Sequence, residues 1–479
     1  MILLLIAVPM LLAFLQLIPS VGRRRHWFLP VCLLALASVG VPFILGNEGL
    51  RQPLFRTGVG IEFWVGIDSL GTVFGIMVLG LWVLATIYAL GYLGKEKGRG
   101  RFFFYYTITL GVTLGLAFAS NLVTYYLFYE LLTLTTYPLV VFTGTKEARR
   151  AGRVYLFFSF IGAALALTGA FLLYSLVGSW DFTGGGIVTA EAVVADPVPY
   201  LISFTFLFAG FGVKAALLVF HHWLPRAMVA PTPVSALLHA VAVVKAGVFG
   251  ILRLVLYVFG PAALSNFPME YFYLWVGATI VLGALKAMQE NVLKRRLAYS
   301  TISHLGYIIF GSLLLTSAGV RGSVYHLVAH AFAKITLFFS VGIITHETGC
   351  KKVSELNGIG RRLPLTMIAF ALASFCLVGL PLTGGFVSKW GLISGGLTSP
   401  HPFLAAIFIF GSMANALYLF PAFVRAFFRH GDFTPNPRGE SNRAMLLPTL
   451  SLAGLAIALG IFSGWPLSLA RAVVSSVFP

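Results

Sequence analysis

Between His326 and Ser340 the sequence reads HLVAHAFAKITLFFS, two histidines and a lysine set into an otherwise apolar run. Their spacing of four residues puts His326, His330 and Lys334 along one face of a helix, over about 12 Å of rise. Three chemistries use such residues. Two histidines one turn apart can chelate zinc, which then needs further ligands, and no HExxH, CxxC or nearby carboxylate supplies them. Nucleophilic catalysis needs a paired serine or cysteine motif, and none accompanies the histidines. Proton transfer needs groups that change protonation near neutral pH and lie within reach of one another. Histidine titrates there unaided, and lysine can be tuned by its surroundings. The spacing suits proton transfer, against the blander alternative of a satisfied histidine pair and a structural lysine.

Other charges inside apolar runs are few. Six cations lie there, Lys214, Lys245, Arg253, Lys286, Lys334 and Lys389, with one acid, Glu130, of the 15 in the chain. A charge in hydrocarbon costs about 2.5–3.5 kcal/mol or more, so such residues mark a polar interior or an ion path. Arg253 and Lys286 fall near the ends of their runs, where long side chains can snorkel to the headgroups. Glu130 sits deep in SNLVTYYLFYELLTLTTYPLV and needs a cation, for which Lys214 is the obvious partner. His239 and Lys245 are six apart, roughly 120° around a helix axis, so they line different walls of one path or only one of them lines it.

The elements that must position these groups are spanning helices. The chain has 479 residues, 58% of them hydrophobic and 10% charged, with a mean hydropathy of +0.92. That leaves too little polar surface for a water-soluble globule and predicts an all-α polytopic membrane protein. Apolar runs long enough to cross about 30 Å of hydrocarbon number roughly fourteen. They include 121 to 143, 199 to 220, 233 to 258, 297 to 317, 321 to 345, 363 to 393, 402 to 428 and 445 to 470. The run Met1–Pro19 has no basic leader and reads as a first span rather than a cleaved signal.

A formal charge of +18 could suggest nucleic acid, but its distribution excludes that. Of 33 Lys and Arg, 23 fall in alternate connections, among them GRRRH, GKEKGRGR, GTKEARRAGR, NVLKRR, GCKKVSELNGIGRR and the segment from Arg425 to Arg443. The opposite connections hold Arg51, Arg56, Arg321 and Arg471. This positive-inside pattern predicts basic loops in the cytoplasm and both termini outside. Cys32, Cys350 and Cys376 form no CxxC pair, so disulfide, zinc-ribbon and iron–sulfur frameworks are not expected, and no metal or cofactor is predicted.

Two runs are predicted to break. GFGVKAALLVFHHWLP and GLPLTGGFVSKWGL each bring glycine, and the second proline, against a lysine at membrane depth. Interrupted helices are tolerated there only against protein or a watered cavity. Both share GFxxK at an offset of 175 residues, and nearly the same offset carries Glu130 to His304. Two related five-helix units, 102–258 and 270–428, are therefore expected between N-terminal helices in 1–101 and a last helix in 445–479.

The segments HHWLPRAMVAPTPVSALLHAVAVVKAGVF, LKRRLAYSTISHLGY, HLVAHAFAKITLFF and GLPLTGGFVSKW resemble the antiporter-like subunits shared by Mrp-type multisubunit sodium/proton antiporters, respiratory complex I and membrane-bound hydrogenases. The resemblance implies fourteen transmembrane helices, two inverted five-helix repeats, broken helices 7 and 12, and partner subunits in a multisubunit membrane complex. It implies translocation of H+, with Na+ as the candidate coupled ion. By position, Glu130 matches the fifth-helix glutamate, Lys214 its seventh-helix lysine and Lys245 the central eighth-helix lysine. His326, His330 and Lys334 match the eleventh-helix relay, and Lys389 the ionisable residue of helix 12. His304 stands where many relatives carry glutamine or another polar residue, and His239, His304 and Lys286 are further candidates. Lys389 favours the Mrp D, L or N type over the complex I M type. A chain end soon after the last span fits neither the L-type lateral helix nor the added A-type domain, leaving the Mrp D subunit or its hydrogenase equivalent. The alternative is the proton-pumping membrane arm of a redox-driven translocase.

Overall fold

The computed structural model describes residues 1–478 apart from 59, 95, 432, 434–439 and 441. Lys95 and Arg438, which belong to the basic connections, lie outside the described residues. The N-terminal helices are α1 (Ile2–Leu15), α2 (Pro19–Arg23), α3 (Arg25–Gly46) and α4 (Ser69–Leu93). A hairpin of β1 (Arg51–Arg56) and β2 (Glu62–Gly66) separates the last two. Then come α5 (Arg99–Ala117), α6 (Leu122–Val140), α7 (Lys146–Val177), α8 (Ala190–Ala195), α9 (Pro197–Lys214), α10 (Trp223–Arg226), α11 (Thr232–Ala240), α12 (Val243–Arg253) and α13 (Gly260–Leu264). The second half holds α14 (Glu270–Gln289), α15 (Leu293–Leu313), α16 (Ser317–Thr348), α17 (Pro364–Val378), α18 (Gly384–Leu397), α19 (Ala405–Phe428), α20 (Arg443–Ile461) and α21 (Gly464–Val477). Among the described residues, nine helical segments are long and apolar enough to cross a membrane. Each predicted apolar run carries helix, with interruptions inside 199–220, 233–258 and 363–393. The last run, 445–470, is divided between α20 and α21, and α7 begins eight residues before its apolar stretch, so the basic loop GTKEARRAGR is largely its first turns.

The connections gather at two ends. The hairpin bridges Val65 to Ala119, Asn121 bridges Asp181, and Thr183 N donates to Tyr257 O at 3.1 Å. At the other end Val292 bridges Lys352, Lys294 Nζ donates to Ala230 O at 2.9 Å, and Lys97, Arg295 and Lys351 line one open cavity of about 710 Å³. The basic connections thus share an end. Helix starts also recur: α5, α6 and α7 begin at 99, 122 and 146, and α14, α15 and α16 begin 171 residues later, at 270, 293 and 317. α5 starts at the basic end and α14 at the opposite one.

Both predicted breaks are present. One separates Lys214 from Trp223 and the other separates Val378 from Gly384. Ala216 (φ 55°) and Val219 (φ 80°) in the first, and Leu382 (φ 69°) in the second, adopt left-handed backbone that a side chain disfavours, strain of a kind that collects at functional sites. The shared GFxxK does not align them. Lys214 ends the half-helix before its break, whereas Lys389 follows its break in α18. The 175-residue offset is therefore not the offset at which the helices recur. A third interruption has no counterpart in the sequence reading: the run 233–258 divides at Val241–Ala242, and Leu254–Phe259 winds as a π-helix. No proline or glycine marks Val241–Ala242; the local signal is only the β-branched Val241, Val243 and Val244, poor helix formers.

Candidate functional site

α16 runs without interruption through the His326–Ser340 stretch and packs on α15, α17, α18 and α11. His326, His330 and Lys334 are fully buried on it. Their contacts all fall on one side. His326 Nε2 meets His304 Nδ1 of α15 at 3.1 Å, and its Nδ1 meets Ser388 Oγ of α18 at 2.8 Å. The His330 ring lies 5.3 Å from that of His304, centroid to centroid, and neither of its nitrogens has a protein partner. Lys334 Nζ donates to Ser300 Oγ at 2.7 Å and to Leu297 O at 3.1 Å, both on α15. The 171-residue recurrence maps Ser300 to Tyr129, the residue beside Glu130.

Lys245, three residues past the Val241–Ala242 break, donates to Leu327 O of α16 at 3.0 Å. That contact joins α12 to the histidine helix. His239, on the far side of the break, is buried against the Phe338 ring at 4.9 Å, with no hydrogen-bond partner on either nitrogen. The break places it toward α16 independently of the rotation a continuous helix would impose.

Lys214 and Glu130 meet as expected. Their Nζ–Oε1 separation is 3.5 Å, with Lys214 1% and Glu130 23% exposed. Lys214 also donates to Tyr129 O and lies 3.3 Å from the Tyr129 ring centroid. The broken helix supplies the freedom: Lys214 lies in its last turn, and Val213 O accepts from Ala216 N at 3.1 Å and from Trp223 Nε1 at 2.9 Å.

Lys389 reaches back across its own break. Its Nζ donates to Leu377 O at 2.7 Å and Val378 O at 2.8 Å, the carbonyls freed where α17 ends. A helix C-terminus is the favourable end for a cation. Leu377 O also accepts from Asn415 Nδ2 at 3.2 Å, and Tyr418 OH donates to Asn415 Oδ1 and lies 2.8 Å from Ser300 Oγ. Lys334 and Lys389 are thus joined through Ser300, Tyr418 and Asn415. The two hydroxyls can pass a proton; the amide and the carbonyl can only orient. A second line runs from His304 through His326 to Ser388, the neighbour of Lys389.

Ser300, Ser388, Asn415 and Tyr418 do not stand out in the sequence. They are uncharged, and a count of charges passes over them; Asn415 and Tyr418, three apart in an apolar run, are the only local signal. Lys286 is exposed on α14, outside the buried row. Arg253 does not snorkel: it is buried and paired with Asp68. Among the described residues, no group of three or more His, Cys, Asp or Glu is placed to hold a metal ion.

Residues 119–414 match the family model described as NADH:quinone oxidoreductase/Mrp antiporter, TM, and residues 55–103 match the N-terminus of complex I chain 5. The chain belongs to the NADH:quinone oxidoreductase/Mrp antiporter transmembrane family. It is 30% identical to a Na(+)/H(+) antiporter protein of the A type from Bacillus subtilis (strain 168), over 98% of this chain and 62% of that protein. It is also 30% identical to NADH-quinone oxidoreductase subunit N of Desulforudis audaxviator, over 93% of this chain and 91% of that protein. The chain spans about three fifths of the length of the A-type antiporter relatives. Its fold matches a chain of the Mrp complex from Dietzia sp. DQ12-45-1b, TM-score 0.86 and 20% identity, covering 100% of this chain and 97% of that one. It equally matches one from the membrane-bound sulfane sulfur reductase, an archaeal respiratory membrane complex, TM-score 0.84 and 23% identity, covering 99% and 97%. The family segment 119–414 contains every residue of the row from Glu130 to Lys389; Tyr418 lies just beyond it.

Proposed function

We propose that this multi-pass membrane protein is the proton-translocating, antiporter-like subunit of a multisubunit Mrp-type cation/proton antiporter, moving H+ coupled to Na+. What supports the reading is a set of local contacts among these groups: Glu130 with Lys214 at the first break, Lys245 with Leu327 O of α16, His304 with His326, Lys334 with Ser300, and Lys389 with the carbonyls freed at the second break. Opening of the Glu130–Lys214 pair changes the proton affinity of Lys245, and the proton passes by the α16 residues to Lys389 and an exit. One charge moved through 100 mV carries about 2.3 kcal/mol, more than the ~1.4 kcal/mol that corresponds to one pKa unit, so the membrane potential suffices to drive such a step. Fourteen spans, ten of them in two inverted five-helix units, 102–258 and 270–428, fit the 171-residue recurrence of helices that start at opposite ends. Lys389 favours the Mrp D, L or N type of subunit, set in a prokaryotic cell membrane with the basic end in the cytoplasm.

The test is proton-coupled transport by the assembled complex in proteoliposomes, with Lys245→Ala and Glu130→Ala. Both should lose transport; unchanged transport refutes the assignment. A second reading, a membrane-arm subunit of a complex I-like or hydrogenase translocase, is favoured by the Desulforudis audaxviator relative, which the chain covers almost whole. Purifying the native assembly and identifying its subunits separates the two, since redox subunits would accompany only the second.

A further inference from the structure

The eleven-residue helix α12 is bounded by two defects, the Val241–Ala242 break before it and the π-helix Leu254–Phe259 after it. π turns concentrate where a helix must adapt to function. Lys245 and Arg253 stand eight residues apart on this rod, about 12 Å of rise and roughly 80° around the axis, so they share a side. Gly247 and Gly250 bring the rod directly onto the first broken helix: a Cβ on Gly247 would meet the Lys214 backbone, and one on Gly250 the Phe211 ring. A displacement of α12 is therefore felt at Lys214, at Lys245 and at Arg253 together.

At the end opposite the basic loops Arg253, 1% exposed, pairs through Nη1 with Asp68 Oδ2 at 2.5 Å, while the Asp68 side chain is 32% exposed. The guanidinium is packed by the rings of Tyr257, Phe249 and Phe182, 4.8, 4.9 and 5.2 Å away, and its Nε has no partner. Asp68 Oδ1 accepts from Gly71 N at 2.7 Å, capping α4. The hydroxyls of Ser69, Tyr257 and Ser476 lie 3.1–3.3 Å from one another beside the pair. Asp68 thus touches both the bulk and a buried cation rigidly linked to Lys245.

We propose that Asp68 is the terminal proton-exchanging group at this end of the path, with Arg253 as its positioning residue, coupled to Lys245 through the Val243–Arg253 rod. The assignment rests on the proton-translocation reading above. A proton leaving the row neutralises the Asp68 carboxylate and loosens its hold on Arg253; release of that proton to the bulk restores the pair.

Asp68→Asn tests this cleanly, because asparagine caps a helix as well as aspartate while removing the charge. In the assembled complex in proteoliposomes, Asp68→Asn should slow proton-coupled transport at least tenfold with assembly retained, and Asp68→Glu should recover at least half the parental rate. Parental transport by Asp68→Asn, or no recovery with glutamate, overturns the proposal. If an unpaired Arg253 prevents assembly of Asp68→Asn, the double variant Asp68→Asn/Arg253→Gln removes both charges. It should assemble and transport at least tenfold more slowly than the parent; a parental rate, or failure to assemble here too, marks the pair as structural and overturns the proposal. Lys245→Ala is run alongside. Its inactivity with a normal Asp68→Asn rejects this inference alone, whereas its full activity rejects the function on which the inference rests.

Discussion

Tyr418→Phe removes one buried hydroxyl and leaves the ring in place. Its oxygen bridges Ser300 Oγ at 2.8 Å and Asn415 Oδ1, and through them Lys334 and Lys389. Two hydrogen bonds worth ~0.5–1.5 kcal/mol each are lost, about 1–3 kcal/mol in all, toward the upper end because Asn415 Oδ1 loses the Tyr418 donor. A protein of this size survives that loss folded, so transport can be read separately. Without the hydroxyl, the proton-passing line from Lys334 ends at Ser300 and loses the one further hydroxyl that carries it toward the Lys389 side. Transport should fall tenfold or more, equivalent to ~1.4 kcal/mol of added barrier. The assay is the initial rate of cation-driven pH change in proteoliposomes, normalised to incorporated complex, with a thermal melt of the same preparation. A rate within twofold of the parent, under conditions where Lys245→Ala is inactive, would refute the reasoning and leave the His304–His326–Ser388 line as the carrier.

Two further outcomes follow from the packing and the loops. Gly247→Ala places a methyl 2.7 Å from both the Lys214 carbonyl carbon and the Phe211 carbonyl oxygen, backbone atoms that cannot swing aside; stability should fall by about 1–3 kcal/mol, read as a lower melting midpoint, and an unchanged midpoint contradicts the contact. At the basic end the backbone N–H groups of Lys351 and Lys352 hold the exposed Glu355 carboxylate below its ordinary value. A depressed carboxylate stabilises the fold above its unfolded pKa and loses that contribution as pH falls through the folded one, so Glu355→Ala should be less stable than the parent at pH 7, with the difference vanishing on acidification through the range below about 4.3. A stability gap independent of pH would show that the carboxylate charge is not the cause.

Charge in an apolar run is the most legible signal in the sequence. Lys214 with Glu130, Lys245, Lys334 and Lys389 stand out because burying them is expensive, and the structure finds each of them buried or partly buried with a partner. The breaks at helices 7 and 12 are legible for a related reason, glycine and proline beside a lysine. The Val241–Ala242 break is not, because tertiary contact rather than a local breaker holds it: α12 is seated by Gly247 on the Lys214 backbone. Arg253 reads as a snorkelling side chain from its place near a run end, and Asp68 reads as an ordinary loop residue. Pairing across 185 positions leaves no trace in the spacing of either. Ser300, Asn415 and Tyr418 are invisible for a third reason: single hydroxyls and amides are common in spanning helices, and only their convergence distinguishes these.

The way each cation is held separates the middle of the row from its flanks. Lys245, Lys334 and Lys389 meet carbonyls and a hydroxyl, Leu327 O, Leu297 O with Ser300, and Leu377 O with Val378 O. Among the described residues, the buried cations of these helices meet a carboxylate only at Lys214, loosely at 3.5 Å, and at Arg253, at 2.5 Å. A carbonyl dipole solvates an ammonium without presenting a fixed opposite charge, so a proton can leave such a lysine without stranding a buried anion, which removing one partner of a buried ion pair always does. The interior is thus built from groups whose charge can come and go, and the carboxylates stand at its flanks, Glu130 on α6 and Asp68 at the start of α4. A row in which every lysine had its own aspartate would be more tightly locked and less able to move a proton.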